Sequence, residues 1–285
     1  MVCRYRRYLD MSLKEKNDII YKLQDYTHLE WNDRTRISQG TPGSFLKTYE
    51  GDGVDRIYYK LSNSDYRGIY GHESVNELIA SRLLDVLGID HVSYRLIHSR
   101  VKIDNSEYET WMCSSRNFRK EGQEKMAFDA YFELMREDDE LPIDFCQKRG
   151  WAEQIYRMMV FDYLICNRDR HGANIELLQT GDEVMLAPLF DHGLSLIFSC
   201  YDDEDAVRDF DVMKDYPVNN YFFSRSLEYN LRYVPKTLEI NHLHEDDFDY
   251  IMHGIDMVLP RVYVDKIWKM IIGRWEKYEK IQNSK

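Results

Sequence analysis

The sequence lacks the features of a membrane-embedded or disulfide-stabilised protein. It contains no run of eighteen apolar residues, so we expect no transmembrane helix and no membrane insertion. Its five cysteines are odd in number and widely spaced, which predicts free thiols rather than a disulfide framework or a CxxC metal site. The N-terminus has no apolar stretch of the kind that a secretion signal needs. We therefore expect a cytoplasmic chain, with nonclassical secretion left open.

The chain is also poor in basic residues, with 38 Lys and Arg against 50 Asp and Glu and a net charge of −12. Sequence-independent binding of nucleic acid requires a cationic face that contacts phosphates, so we expect no direct nucleic-acid binding. Hydrophobic residues make up 44% of the 285 residues. This proportion is sufficient for the cores of two lobes.

The first half of the sequence is patterned mainly as a sheet. Apolar residues at near-helical spacing predict an amphipathic helix over about residues 12–30, before a loop rich in Gly, Pro and Ser at residues 38–44. β-Forming segments follow at residues 45–49, 56–61, 91–97 and 107–113. Between them, the apolar stripe of residues 73–87 predicts one helix, ended by Gly88.

The second half changes to helical periodicity. Helices are predicted over residues 124–136, 151–166, 246–258 and 262–280, and residues 174–190 have the pattern of a β-hairpin. The composition changes near residues 114–122, so we place a boundary there. The sequence predicts an α+β chain with a sheet lobe over residues 1–115 and a mainly helical lobe over residues 116–285.

The densest group of reactive side chains follows the helix predicted over residues 151–166. Asp169 and Asn174 are five positions apart, the spacing of the Asp and Asn in a kinase catalytic loop. There the carboxylate orients the acceptor hydroxyl and the amide oxygen binds magnesium. The predicted hairpin then returns Asp191 toward this loop as a second metal ligand, and Asp191-His192-Gly193 is similar to the Asp-Phe-Gly element of kinases.

Three upstream features complete a nucleotide site. Lys60 could contact phosphate oxygens, and Glu77 on the following helix could hold that lysine in place. Glu73 is the competing partner, although its position in the first turn suits the helix dipole. The loop that precedes the first β-forming segment could direct backbone N–H groups at phosphates through Gly40, Thr41, Gly43 and Ser44.

Together, Asn167-Arg-Asp-Arg-His-Gly-Ala-Asn174 and Leu186-Ala-Pro-Leu-Phe-Asp191 resemble the signature of HipA-type serine/threonine kinases. The resemblance spans about residues 36–195 and includes Lys60 and Glu77. It implies a two-lobed protein-kinase-like fold that uses ATP and Mg²⁺. It also implies that Asp169 is the catalytic base, that Asn174 and Asp191 bind Mg²⁺, and that Lys60 binds the phosphates with Glu77 as its partner. His171 would brace the catalytic loop.

The resemblance extends to regulation and partners. HipA-type kinases phosphorylate a serine in their own phosphate loop, for which Ser38 and Ser44 are the candidates. The acceptor would be a protein, and an antitoxin is a candidate partner. Because about forty residues precede the loop, we expect a short stand-alone member of the family.

Two other functions remain open at this stage. The segments 169–174 and 191–195 are also similar to loops of phosphatidylinositol kinases, which would make the acceptor a lipid or a small molecule. The third hypothesis is a pseudokinase that serves as a binding module, and it predicts damage to at least one ligand position. Asp169, Asn174 and Asp191 are all intact.

Overall fold

The computed structural model describes residues 17–31, 45–65 and 68–285. Within these ranges the first half of the chain forms a five-stranded sheet in the order β1-β6-β7-β3-β2. β1 runs parallel to β6, and the remaining neighbours pair antiparallel. The strands are β1 (Ile19–Tyr26), β2 (Lys47–Glu50), β3 (Ile57–Lys60), β6 (Tyr94–Ile103) and β7 (Ser106–Arg116), and a small hairpin comprises β4 (Ser64–Asp65) and β5 (Gly68–Ile69).

The helix predicted over residues 12–30 is wrong for the described part of that segment, which is strand β1. Ile19 and Ile20 are β-branched residues, which favour strands. They pair with Leu96 and Ile97 of β6, and Ile19 is buried in the core. Intrinsic helix propensity contributes only a small free energy per residue. Pairing with β6 and burial in the core therefore decide the conformation of this segment, although its apolar residues have near-helical spacing.

One long helix, α1 (Glu73–Leu87), crosses this sheet with the bounds that the sequence predicted. It ends at Gly88, whose φ of 69° is the left-handed conformation that glycine adopts most readily. All but one of its fifteen residues are buried. Arg82 donates hydrogen bonds to Asp18 beside β1 and to the carbonyls of Ile251 and His253 in the second half. The helix is therefore enclosed by both halves of the chain.

The second half is mainly helical, although three of its four predicted helices are shorter or broken, whereas the last, predicted over residues 262–280, is longer. Residues 124–127 form a strand before the helix begins, because they pair with the later hairpin. The region predicted as one helix over residues 246–258 breaks at Gly254, whose φ is 70°. The helices are α2 (Phe128–Met135), α3 (Pro142–Lys148), α4 (Ala152–Leu164), α5 (Glu204–Asp209), α6 (Leu227–Asn230), α7 (Phe248–Ile251) and α8 (Arg261–Asn283).

Among the helices of the described residues, none has the length and apolar character that crossing a bilayer requires. Cys113, Cys146, Cys166 and Cys200 are buried free thiols, as the spacing predicted.

A second, three-stranded sheet supports the catalytic loop. It comprises β8 (Glu124–Ala127), β10 (Glu176–Thr180) and β11 (Glu183–Leu186) in the order β11-β10-β8. The hairpin of β10 and β11 matches the predicted one. After β11 the chain meets the end of α1, where Leu189 exchanges backbone hydrogen bonds of 2.9 and 3.1 Å with Val92 and Asp90. Two further short strands, β9 (Asp169–Arg170) and β12 (Asn219–Asn220), pair in parallel.

The histidine that precedes α1 provides a test of this packing. His72 is 5% exposed and lies edge-on to Tyr263 of α8, with a ring-centroid distance of 5.6 Å. Its Nε2 has no hydrogen-bond partner among the described residues. Burial lowers the pKa of His72 to about 4, because a charged imidazolium would lose its hydration.

We expect His72 to make the protein less stable in acid. Its folded pKa is below its unfolded value of about 6.5, so the unfolded chain binds more protons as the pH falls from about 6.5 to about 4. Acidification from about pH 7.5 to about pH 5 should cost about 2 kcal/mol through this residue. Urea unfolding at both pH values measures the loss, and His72→Gln should show a smaller one. Equal losses in both proteins would contradict the assignment.

Candidate active site

The centre of the site is a buried lysine between two carboxylates. Lys60, the last residue of β3, donates to Glu77 Oε1 at 2.8 Å and to Asp191 Oδ1 at 2.6 Å. Burial alone would lower the pKa of Lys60, but the charges of Asp191 and Glu77 outweigh it and raise that pKa well above its ordinary value. Lys60 is therefore a fixed cation. Of the two helix carboxylates that competed as its partner, Glu77 makes the contact.

Asp191 is held in an unusual conformation at the end of the segment that follows β11. Its φ is 59°, a left-handed backbone that is uncommon for residues other than glycine. The next amide, that of His192, donates to Glu77 Oε2 at 2.8 Å, so Glu77 holds both Lys60 and this turn. Although burial raises the pKa of Asp191, the positive charges of Lys60 and Lys47 hold it below its ordinary range. Asp191 is therefore a carboxylate that is ready to bind a cation.

The glycine of the Asp-His-Gly segment lies in a closely packed position. A Cβ on Gly193 would lie 3.2 Å from Lys60 Nζ and 3.3 Å from Glu77 Oε1, a spacing tighter than ordinary contacts. Asn76 on α1 donates to the carbonyls of Gly193 and Ser195, both at 3.0 Å. The helix that carries Glu77 thus also fixes the chain beyond Asp191.

The predicted catalytic loop brings Asp169 and Asn174 together. Asn174 Nδ2 donates to the Asp169 carbonyl at 2.8 Å, which leaves its Oδ1 as the group that can bind a metal. The Asp169 carboxylate accepts from Asn219 Nδ2 at 2.8 Å on Oδ1, and its Oδ2 lies 3.6 Å from His171 Nε2. His171 Nδ1 accepts a hydrogen bond from the Ala173 amide at 3.2 Å, so the ring contacts the backbone of its own loop.

Arg170, directly after Asp169, ties the separate parts of the site together. It is 1% exposed and forms an ion pair with the buried Asp162 of α4, with Nε 3.0 Å from Oδ2. Its Nη1 donates to the carbonyls of Asn174 and Phe190, at 3.1 and 2.9 Å, so these two oxygens are at most about 6 Å apart. Since Phe190 precedes Asp191, the two proposed metal ligands come from adjacent backbone segments.

Sequence reasoning did not find several of these residues. Arg170 stands inside the motif, but nothing in the spacing shows that it is buried. Asn219 is fifty positions from Asp169 and reaches it only through the pairing of β12 with β9. Lys47 lies 3.6 Å from Asp191 Oδ2 because β2 and β3 pair in a register that places Lys47 opposite Lys60. That pairing was predictable as a hairpin, although its register was not.

The predicted phosphate turn cannot be compared with the structure. Gly40, Thr41, Gly43 and Ser44, and the modification candidate Ser38, lie outside the described residues.

Glu73, the alternative partner of Lys60, is fully buried and accepts the Asn63 amide at 3.0 Å through Oε2. Burial raises the pKa of Glu73.

The first half is a sheet crossed by one helix, and the second half is mainly helical. This is the α+β arrangement of a two-lobed, kinase-like fold. The chain is similar to the crystal structure of the Helicobacter pylori proinflammatory kinase CtkA, with a TM-score of 0.57 and 16% identity. The match covers 92% of this chain and 97% of that one. It confirms the kinase-like α+β fold.

A second match is the HipA, HipB and operator DNA complex of the Shewanella oneidensis MR-1 toxin–antitoxin system. Its TM-score is 0.39 at 15% identity, and it covers 88% of this chain and 59% of that one. No protein-family model matches the sequence, and no curated protein matches it.

Proposed function

We propose that the protein is an ATP- and Mg²⁺-dependent serine/threonine protein kinase of HipA-like type. The observation that carries the proposal is the convergence of Asp169, Asn174 and Asp191 with the buried Lys60–Glu77 ion pair. The fold shared with CtkA supports it. A pseudokinase is disfavoured, because Lys60 already contacts both of its carboxylates and the remaining groups are in place.

The residues fit a magnesium-bound nucleotide. Asn174 and Asp191 supply an amide oxygen and a carboxylate, the hard oxygen donors that Mg²⁺ prefers, and phosphates and water commonly complete such a shell. When bound, Mg²⁺ would neutralise charge on the phosphates. Lys60 is a fixed cation beside Asp191, and Lys47 adds a second positive charge on the neighbouring strand. ATP is the nucleotide that we propose.

The chain's own groups can perform each part of the transfer. An acceptor hydroxyl would give its proton to Asp169 while its oxygen forms a bond to the γ-phosphorus of ATP. The bond between that phosphorus and the oxygen bridging to the β-phosphate breaks, and ADP leaves with the electron pair. Asn219 keeps one Asp169 oxygen occupied, so the other oxygen, near His171, is directed at the acceptor.

The test is transfer of labelled phosphate by the purified full chain. We expect label on the chain itself and on an added protein acceptor, both abolished when EDTA replaces Mg²⁺. Mass spectrometry should place the self-label on Ser38 or Ser44. Label found only on phosphatidylinositol in a parallel reaction would favour a lipid kinase instead. A complete absence of labelling, with ATP still bound in calorimetry, would identify a pseudokinase.

A further inference from the structure

Three aromatic side chains form an exposed surface beyond the catalytic loop, which we call the aromatic patch: Phe223, Tyr229 and Tyr233. They are 39%, 44% and 43% exposed. Phe223 and Tyr233 stack with centroids 3.9 Å apart and planes 7° apart, and Tyr229 meets Tyr233 at 6.0 Å. Arg232 extends the surface with its guanidinium 4.9 Å from the centre of the Tyr229 ring. Nothing in the proposed chemistry uses these residues.

The aromatic patch lies close to the catalytic carboxylate. Asn219 donates to Asp169, and Tyr221 donates its amide to the Arg170 carbonyl at 2.9 Å. Phe223 is four positions after Asn219, so their Cα atoms are less than about 14 Å apart. An acceptor whose hydroxyl reaches Asp169 could therefore place a neighbouring residue on Phe223.

The loop that carries Phe223 is rigidly held. Asn230 is 1% exposed, accepts from the amide and the hydroxyl of Ser224, and donates to the Ser224 carbonyl at 2.8 Å. Phe222 is buried against Phe128 of α2, with centroids 5.5 Å apart. The position of the exposed ring is thus set by buried contacts on both sides of it.

Phe223 also has a strained backbone. Its φ is 62°, and a positive φ is an outlier for a bulky residue. Such strain tends to persist at functional sites, where surrounding structure over-determines the conformation. Here the strained backbone keeps an aromatic ring at the surface instead of in the core.

We propose that the aromatic patch is the docking surface for the protein acceptor of the phosphoryl group, and this inference rests on the proposed kinase function. Tyrosine, phenylalanine and arginine are the residues enriched where proteins bind one another. Because the whole chain carries a net charge of −12, a basic, unfolded acceptor segment has the complementary charge. An apolar or cationic side chain of that segment packs on the stacked rings.

A membrane surface is the other occupant that aromatic residues suit, but the neighbouring charges disfavour it. Asp215 accepts a hydrogen bond from the Ser226 hydroxyl and, at 3.3 Å, one from the Glu228 amide. The Asp215 carboxylate at the base of the loop would repel anionic headgroups. In addition, Phe223 stacks flat against Tyr233, whereas an anchoring ring would project into the lipid.

The experiment uses the double variant Phe223→Asn with Tyr233→Ser in the full chain. Asparagine tolerates the left-handed backbone, so the loop should keep its shape. The probe is myelin basic protein, a basic unfolded acceptor. For the double variant, we expect the Kd of this probe without nucleotide to rise roughly tenfold relative to the wild type. The KM of the probe in the phosphorylation assay should rise by the same factor, which is ordinary for the loss of an aromatic contact at an interface. KM for ATP and self-labelling should stay within about twofold.

The control is Met257→Ser, which removes another exposed apolar side chain, 72% exposed, beside Gly254 on the side of β1. It should change none of these values. Equal affinity of the wild type and the double variant for the probe would overturn the proposal, as would a wild type that does not bind it. Loss of binding to phosphatidylcholine–phosphatidylserine vesicles in the double variant would assign the patch to a membrane.

The proposed function can fail separately. If the wild type labels no protein, the kinase assignment fails, while the nucleotide-free Kd of the probe still decides whether the patch binds proteins.

Discussion

Replacement of Asp169 by Asn is expected to lower kcat for phosphoryl transfer by about 10³-fold, within the range found for loss of a general base. The amide has the same shape and can still accept the hydrogen bond from Asn219. Asn174 binds the main-chain carbonyl of residue 169, which the substitution leaves unchanged. Only the capacity to take the acceptor's proton is lost. Initial rates with labelled ATP measure the effect.

The matched control is Asp205→Asn on α5, since the Asp205 side chain is 92% exposed and pairs with Arg208 at the surface. It makes the same chemical change and should leave the rate within about twofold. Affinity for ATP should also be preserved in Asp169→Asn, because the nucleotide contacts lie on other residues. If Asp169→Asn retained a tenth of the wild-type rate, another residue would have to be the base.

Replacement of Lys60 by Met should have the largest effect on stability and should also abolish activity. It leaves Glu77, which is fully buried, and Asp191 without the cation that lies between them. Removing one partner of a buried ion pair typically costs about 3–5 kcal/mol, because a charge remains without compensation. Urea unfolding at neutral pH measures the loss, and calorimetry with ATP measures the accompanying loss of affinity.

The double variant Lys60→Met with Glu77→Gln separates the two effects. Glutamine removes one of the uncompensated charges and can still accept the His192 amide. We expect it to recover roughly half of the lost stability and none of the activity, since neutralising the remaining charge cannot replace a phosphate contact. If Lys60→Met were as stable as the wild type, Lys60 would not be the buried cation described above.

The sequence predicted correctly the features that depend on residues near one another in the chain. It failed where a feature depends on residues that are distant in sequence. Helix α1 was predicted with correct bounds because its apolar stripe and Gly88 are local signals. The spacing of Asp169, Asn174 and Asp191 was informative because a short loop and one hairpin connect them. Strand β1 was mistaken for a helix because its conformation depends on pairing with β6, whose partner residues are more than seventy positions away, as Ile19 and Leu96 are.

The supporting residues of the site show the same distinction. Asn219 reaches the predicted catalytic loop only through the fold, since it is fifty positions from Asp169. Asp162 is close in sequence, eight positions before Arg170, but nothing in the pattern shows that the two are paired. The ion pair of Lys60 and Glu77 was predictable because the kinase resemblance supplies it. The role of Arg170 depends on its burial, which the sequence does not predict, because charged arginine side chains are usually exposed.

Helix α1 is bonded to the second half of the chain at several points. Besides the Arg82 contacts, Asp85 accepts from the Tyr250 hydroxyl at 2.8 Å, and the backbone pairing with Leu189 follows directly after the helix. The same helix is tied to the sheet, because Arg82 pairs with Asp18 and the Ser74 hydroxyl donates to the Lys60 carbonyl at 3.2 Å. Any displacement of α1 would therefore move Glu77 relative to both Lys60 and the His192 amide.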